Sequence, residues 1–422
     1  MGKFTRAWAV TAALVTLVPL GLTGCGSSSE EPRIVGGGTE GGSSATPTSP
    51  AEPLSLSITP GTGAKKQPVS TEIGTTVAGG KVTDVTLTME GGGKVEGALR
   101  EDGSSWVPAV PLKYSKTYTA SVTATNSTGQ TDTKTTSFTT MSKPSSQVGS
   151  GLYLFDDKTY GVAMPVVVEF SPGIPKKDRA AVQKRMFVST NPPQPGTWHW
   201  VSSGTQAYYR APEYWQPGTT ISVRIGLEGI PLSNGRYGNM DRKATGKIDN
   251  NKMELKVDNA TKKMSVYENG NLIKTMPVSL GKKSTPSSSG TMVIMEKKAA
   301  TTFDTMDDPN PANRYVTDVE YAQRLTWGGE YIHAAPWSVA DQGRRNVSHG
   351  CVNVATANAK WLFEKTKIGD PITITGTEVK LANGNGWTAW NLSWAEFIKG
   401  SALPVPADLT SPGAAGTASP TT

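Results

Sequence analysis

The chain has 422 residues, enough for two to four domains, and its 46 glycines, 29 prolines and 36% hydrophobic content favour several small β-rich modules over one large α/β core. The net charge of +7 is mild and nowhere concentrated. It suits anionic partners in general, such as an acidic wall polymer or a membrane surface, and argues against nucleic acid.

Lys3 and Arg6 precede an apolar run from Trp8 to Leu22, which ends in LTGC at residues 22–25. A basic start, a short apolar core and small residues describe a secretory signal. At about fifteen residues the run is shorter than the ~20 needed to span a bilayer. LTGC resembles the lipobox of bacterial lipoproteins. That resemblance implies a signal peptide over 1–24 and lipidation of Cys25. The protein is then expected to be exported and lipid-anchored to the outer face of the cytoplasmic membrane, in the periplasm or cell-wall space. An ordinary signal cut elsewhere is the alternative. With Cys25 lipidated, Cys351 has no disulfide partner, and a lone thiol in an exported protein is a candidate nucleophile.

Residues 25–53 are rich in Gly, Ser and Pro and read as a flexible tether. From 54 to 143, LSLSI (54–58), VTDVTLTM (82–89), YTASVTAT (118–125) and TKTTSFTT (133–140) place apolar residues two apart, with turn signals between them. This spacing predicts an immunoglobulin-like β-sandwich of about seven strands. Residues 148–249 predict a second one: YWQPGTTISVRIG (214–226) repeats the pattern of VPLKYSKTYTASVTA (110–124), with a short helical turn in 177–189 as an exception. His199, between Trp198 and Trp200, reads as a packing or surface histidine of this module.

A third unit begins near 250. Strands are expected in MELKVD, KKMSVYENGNLIKTMPVSL and GTMVIMEK, with a hairpin turn at Asn269-Gly270, and again in PITIT at 371–375. Between them a helix carries Trp361, Leu362 and Lys365 on one face, with Gly369 as its stop. The segment 377–402 bears Trp387, Trp390 and Trp394, expected to dock it onto the third unit. Residues 403–422 should be disordered. The fold class expected is therefore mostly β: two sandwiches, a β-rich third domain with a short helix, and a Trp-bearing C-terminal subdomain.

Two of the chain's three histidines stand near Cys351: His349 in NVSHGCVN (346–353) and His333 in YIHAAPW. A histidine within hydrogen-bond reach can take the thiol proton and hold the pair as thiolate and imidazolium. Either could serve. His349 and Cys351 would face the same side of an extended stretch, whereas His333 would approach from a neighbouring strand end. Gly350 leaves room for an acyl substrate and would expose amide N–H groups to an oxyanion. A zinc site from His333, His349 and Cys351 is the competing reading, but no carboxylate–histidine ligand motif stands beside them.

His333, followed after fourteen residues by Ser348-His349-Gly350-Cys351 and then Asn353, resembles the signature of the L,D-transpeptidase family. SLGKKSTPSSSGTMVI (279–294) resembles the family's upstream segment, so the likeness covers about 250–376. The tandem sandwiches, lipobox and Trp-bearing tail look like the multidomain mycobacterial members. The resemblance implies Cys351 as nucleophile and His333 as general base, oriented by the backbone carbonyl of Ala334, where relatives carry serine. It implies that His349, counted with the catalytic residues, and Asn353 shape the site and contact the donor, with Ser348 and Gly350 among the substrate-binding positions. Tyr315 matches a lid tyrosine of the oxyanion region, and Gly329 and Trp337 match other pocket positions. The lid, roughly 300–325, is slightly shorter and has Phe303 where relatives carry methionine. The implied activity is peptidoglycan 3→3 cross-linking between a tetrapeptide donor stem and an acceptor stem, with carbapenems as acylating inhibitors; no metal or cofactor is expected, and a monomer is the default. An L,D-carboxypeptidase, an enzyme anchoring proteins to peptidoglycan, and a non-catalytic wall-binding lipoprotein are the alternatives.

Overall fold

The computed structural model describes residues 53–410. The expected signal segment, Cys25 and nearly all of the tether lie outside these residues, as do 411–422.

In the first sandwich, one sheet orders Ser55–Thr59, Ile73–Ala78, Ser105–Pro108 and Gly97–Leu99. The facing sheet orders Ala64–Gln67, Thr131–Thr140, Thr117–Thr125, Lys81–Met89 and Lys94–Val95. Alternation builds it: Tyr118, Ala120, Val122 and Ala124 are buried, while the threonines and serine between them face outward. The second sandwich repeats the latter sheet as Thr159–Tyr160, Asp241–Ile248, Thr220–Gly226 and Met186–Asn191. Even the pairing direction recurs, since the first strand of each set lies parallel to the second. The two segments that match in sequence, 110–124 and 214–226, thus end in equivalent inner strands. The short helix Arg179–Gln183 precedes Met186–Asn191 where a helical turn was expected.

Two sheets pack face to face in the third unit. The larger orders Asn271–Pro277, Lys263–Glu268, Met253–Asp258, Pro371–Thr375, Ser288–Val293 and Val379–Lys380. Asn269 and Gly270 both have positive φ, the mirror-image turn that a two-residue hairpin requires. The smaller sheet orders Glu296–Asp304, Val316–Arg324, Tyr331–Ala334 and Val352–Val354. Leu255, Val257, Ile372 and Ile374 from the first meet Ile332, Val352 and Val354 from the second in one core, with Ala359 and Leu362 of the helix.

Three expectations need correction. The helix runs Thr356–Lys365 and buries Ala359 and Leu362, three apart, with Lys365 exposed; it stops before Thr366, ahead of Gly369. The tryptophans of the C-terminal segment dock chiefly on the second sandwich. Trp387, Ala389 and Phe397 are buried in its core, Trp390 donates to the Ala163 carbonyl at 2.7 Å, and buried Arg210 donates to the carbonyls of Ala389 (3.1 Å) and Leu392 (2.9 Å). The Arg210 guanidinium also lies over the rings of Trp390 and Phe397. His199 belongs to this contact: it is a buried packing histidine whose Nδ1 is 2.8 Å from the Phe397 carbonyl. Finally, residues 403–410 are ordered. Ala407–Thr410 is helical, Leu409 is buried, and Trp394 Nε1 donates to the Leu409 carbonyl at 2.8 Å.

Candidate active site

Strand register brings the site together. Tyr331–Ala334 pairs in parallel with Val352–Val354, placing Ile332 beside Val352 and His333 beside Asn353. Ile332 and Val352 point into the core, so His333, Asn353 and, two residues earlier, Cys351 point the other way. They line an open cleft of about 470 Å³ with Phe303, Tyr315, Trp337, Ser348 and His349 among its walls. Parallel neighbours cannot be joined by a tight turn. Residues 335–351 form the crossover, and the spacing between His333 and Cys351 is the length of that connection.

The geometry separates the two histidines. His333 is buried, and its Nδ1 is 2.8 Å from the Ala334 carbonyl. A carbonyl only accepts, so Nδ1 carries the proton and Nε2 keeps its lone pair. This is the orienting contact expected of Ala334. His349 is exposed, with Nε2 2.9 Å from Lys282 Nζ. An ammonium only donates, so this lone pair is engaged. Its ring lies 4.9 Å from that of Tyr315. The segment between His349 and Cys351 is a bend, not the extended stretch expected.

Burial pushes the Cys351 thiol up to about 12, despite the Tyr331 N–H directed at it, and the nearby Glu330 carboxylate adds to the rise. Burial also lowers His333 below its ordinary value, although the Ala334 bond opposes this. Both directions favour a neutral pair at rest: a thiol donating to the Gly329 carbonyl at 3.6 Å, beside a neutral imidazole. The thiolate–imidazolium pair anticipated from the sequence is therefore disfavoured before substrate enters.

The segment around Cys351 is braced from below. Gly350 adopts φ +122°, a conformation strained for any side chain. Its N–H donates to Ser348 Oγ at 3.2 Å, so this amide is engaged rather than held out for an oxyanion. Ser348 Oγ in turn donates to the Cys351 carbonyl at 2.7 Å. Asn353 Nδ2 donates to Ser338 Oγ at 3.2 Å. Above the site, Glu296–Asp304 and Val316–Arg324 form the hairpin of the expected lid. Phe303 sets its ring edge-on to His333 at 5.3 Å. Tyr315 is half-buried near Cys351, and Trp337, largely exposed, lies 6.0 Å from the His333 ring.

A model of the L,D-transpeptidase catalytic domain matches residues 252–374, and one of a bacterial Ig domain matches 64–231. L,D-transpeptidase 2 of Mycobacterium tuberculosis is 32% identical over 404 residues, covering 95% of this chain and 96% of the relative. This chain belongs to the L,D-transpeptidase family. L,D-transpeptidase 5 of the same species is 33% identical across 81% of the chain and 74% of its own length. A solved LD transpeptidase in complex with imipenem is 33% identical, covering 55% of this chain and 100% of that one, at a TM-score of 0.46.

In this family member several supporting residues escaped the sequence reading. Ser287 Oγ is fully buried, donates to the Gly350 carbonyl at 2.7 Å and accepts from Gly281 N at 2.9 Å. Thr285 Oγ1 donates to the Ser348 carbonyl at 3.3 Å. The 279–294 segment, read from the sequence for its strands and its family likeness, is thus the brace of the cysteine loop. Glu330 accepts from Ser288 N and Oγ, and burial raises its pKa. Apart from the local Gly281–Ser287 contact, nothing in the local sequence signals these contacts, because they join segments more than forty residues apart.

Proposed function

We propose that the protein is a peptidoglycan L,D-transpeptidase that forms 3→3 cross-links through a Cys351 thioester. The Cys351 sulfur attacks the carbonyl joining the third residue of a donor tetrapeptide, a diamino acid, to D-Ala, while its proton passes to His333 Nε2. The C–N bond then breaks, His333 returns the proton to the leaving D-Ala amine, and the thioester remains. The side-chain amine of a diamino acid on an acceptor stem attacks this thioester. Its proton passes through His333 to the departing sulfur, and the thiol is restored. Tyr315 stands at the lid where the oxyanion would form. The observation that carries the reading is the His333 Nδ1 contact with the Ala334 carbonyl, which leaves Nε2 free in the cleft that holds Cys351.

Cys25 lipidation and the tether would hold the enzyme at the outer face of the membrane, and carbapenems would acylate Cys351. Incubation of residues 51–422 with a disaccharide-tetrapeptide containing meso-diaminopimelate tests the reaction, read by intact-protein mass and product mass. A thioester-sized gain absent from Cys351→Ala, with a 3→3 dimer, is expected. Release of tripeptide alone would redirect the assignment to an L,D-carboxypeptidase.

A further inference from the structure

Lys282 stands beside a histidine that lines the cleft. Its backbone N–H donates to the Ser348 carbonyl at 2.9 Å, which fixes its chain beside the cysteine loop. Its Nζ lies 2.9 Å from Nε2 of His349, a residue that lines the cleft. An ammonium has three N–H donors, and His349 takes one of them. Arg345 nearby is paired with Asp341, whereas among the described residues Lys282 forms no ion pair. Asp308 of the lid acts on His349 in the opposite sense, more weakly than Lys282 does. One end of the cleft wall therefore carries an unneutralised positive charge, two donors to spare and a fixed seat.

A donor tetrapeptide brings the complementary group. The carboxylate of its terminal D-Ala is separated from the scissile nitrogen by a single carbon, so it must lie close to whatever surrounds Cys351. We propose that Lys282, seated on His349, receives the terminal carboxylate of the donor stem and selects donors that end in a free acid. This rests on the transpeptidase reading above and adds the residue that recognises the leaving group. Lys282 is a specificity residue on this account, and it moves no proton.

The test compares two donors on the full-length protein: a disaccharide-tetrapeptide ending in D-Ala, and the same stem ending in D-Ala amide. Thioester formation is followed by intact mass for the unsubstituted enzyme, Lys282→Met and Lys282→Arg, with Cys351→Ala as blank. A charge-assisted hydrogen bond at a partly exposed site corresponds to roughly tenfold. The unsubstituted enzyme should acylate faster with the free acid by about that factor. Lys282→Met should lose about tenfold on the acid, mainly in KM, and stay within about twofold on the amide, while Lys282→Arg keeps the preference. An equal loss on both donors would assign Lys282 a structural role and overturn the proposal, as would a preference that survives in Lys282→Met. Absence of thioester from the unsubstituted enzyme with either donor would instead overturn the transpeptidase reading itself.

Discussion

Burial moves the two reacting groups in opposite directions, the Cys351 thiol up to about 12 and the His333 imidazole down. Neither shift favours charge, so the proton should leave sulfur only as the carbonyl is attacked. The sign of the pH dependence follows. Acylation requires neutral His333, so the rate falls in acid with a midpoint below the ordinary value of about 6.5. It stays level from neutral pH to about 10, because the thiol has not begun to titrate. Acylation by a carbapenem measured between pH 5 and 10 should show one acid limb and a plateau. A tenfold rise per pH unit through 7–9 would mean that preformed thiolate is the reactant. Cys351, His333 and Asn353 were legible in the sequence through their resemblance to the family signature, and the structure brings them to one cleft. The tautomers were not, since each depends on one contact: Ala334 for His333, Lys282 for His349.

Among elements, period-two alternation made the strands readable, and Asn269-Gly270 marked its own turn. The helix face was misread at Lys365, because burial there follows Ala359 and Leu362 against the core. The loop bearing Cys351 is the element the alternation could not describe: it bends at Gly350, and Ser287 of another segment holds the bend. Ser287→Ala leaves the Gly350 carbonyl and the Gly281 N–H unpaired in a buried place. It should cost about 1–3 kcal/mol of stability. It should also slow thioester formation, although Ser287 does not line the cleft. Thermal unfolding together with single-turnover acylation measures both, and full acylation at unchanged Tm would remove Ser287 from the brace.

At the scale of the molecule, an ion pair joins the two sandwiches and the C-terminal strap joins the second sandwich to the third unit, so linkers do not act alone. Glu72 of the first sandwich lies 2.6 Å from Arg100 of its own module and 2.7 Å from Arg185 of the second sandwich, and these guanidinium groups with Ser105 hold its carboxyl down to about 2 despite burial. Arg224 Nη1 donates across the same joint to the Pro108 carbonyl at 2.7 Å. The strap runs from the third unit to the second sandwich, where Arg210 gathers its carbonyls and rings. The module types were legible from strand spacing. Their joints were not, because a tryptophan or arginine in a β-rich chain looks the same whether it fills its own core or its neighbour's.

The assignment of Cys351 and His333 as the reacting pair, with His349 outside the proton path, is tested most directly by single-turnover thioester formation on the donor tetrapeptide. His333→Gln, His349→Gln and Cys351→Ala should be compared with the unsubstituted chain by intact mass. The account predicts no adduct on Cys351→Ala, a loss of about 10²-fold or more on His333→Gln, and no more than about tenfold on His349→Gln. A larger loss on His349→Gln than on His333→Gln would contradict it.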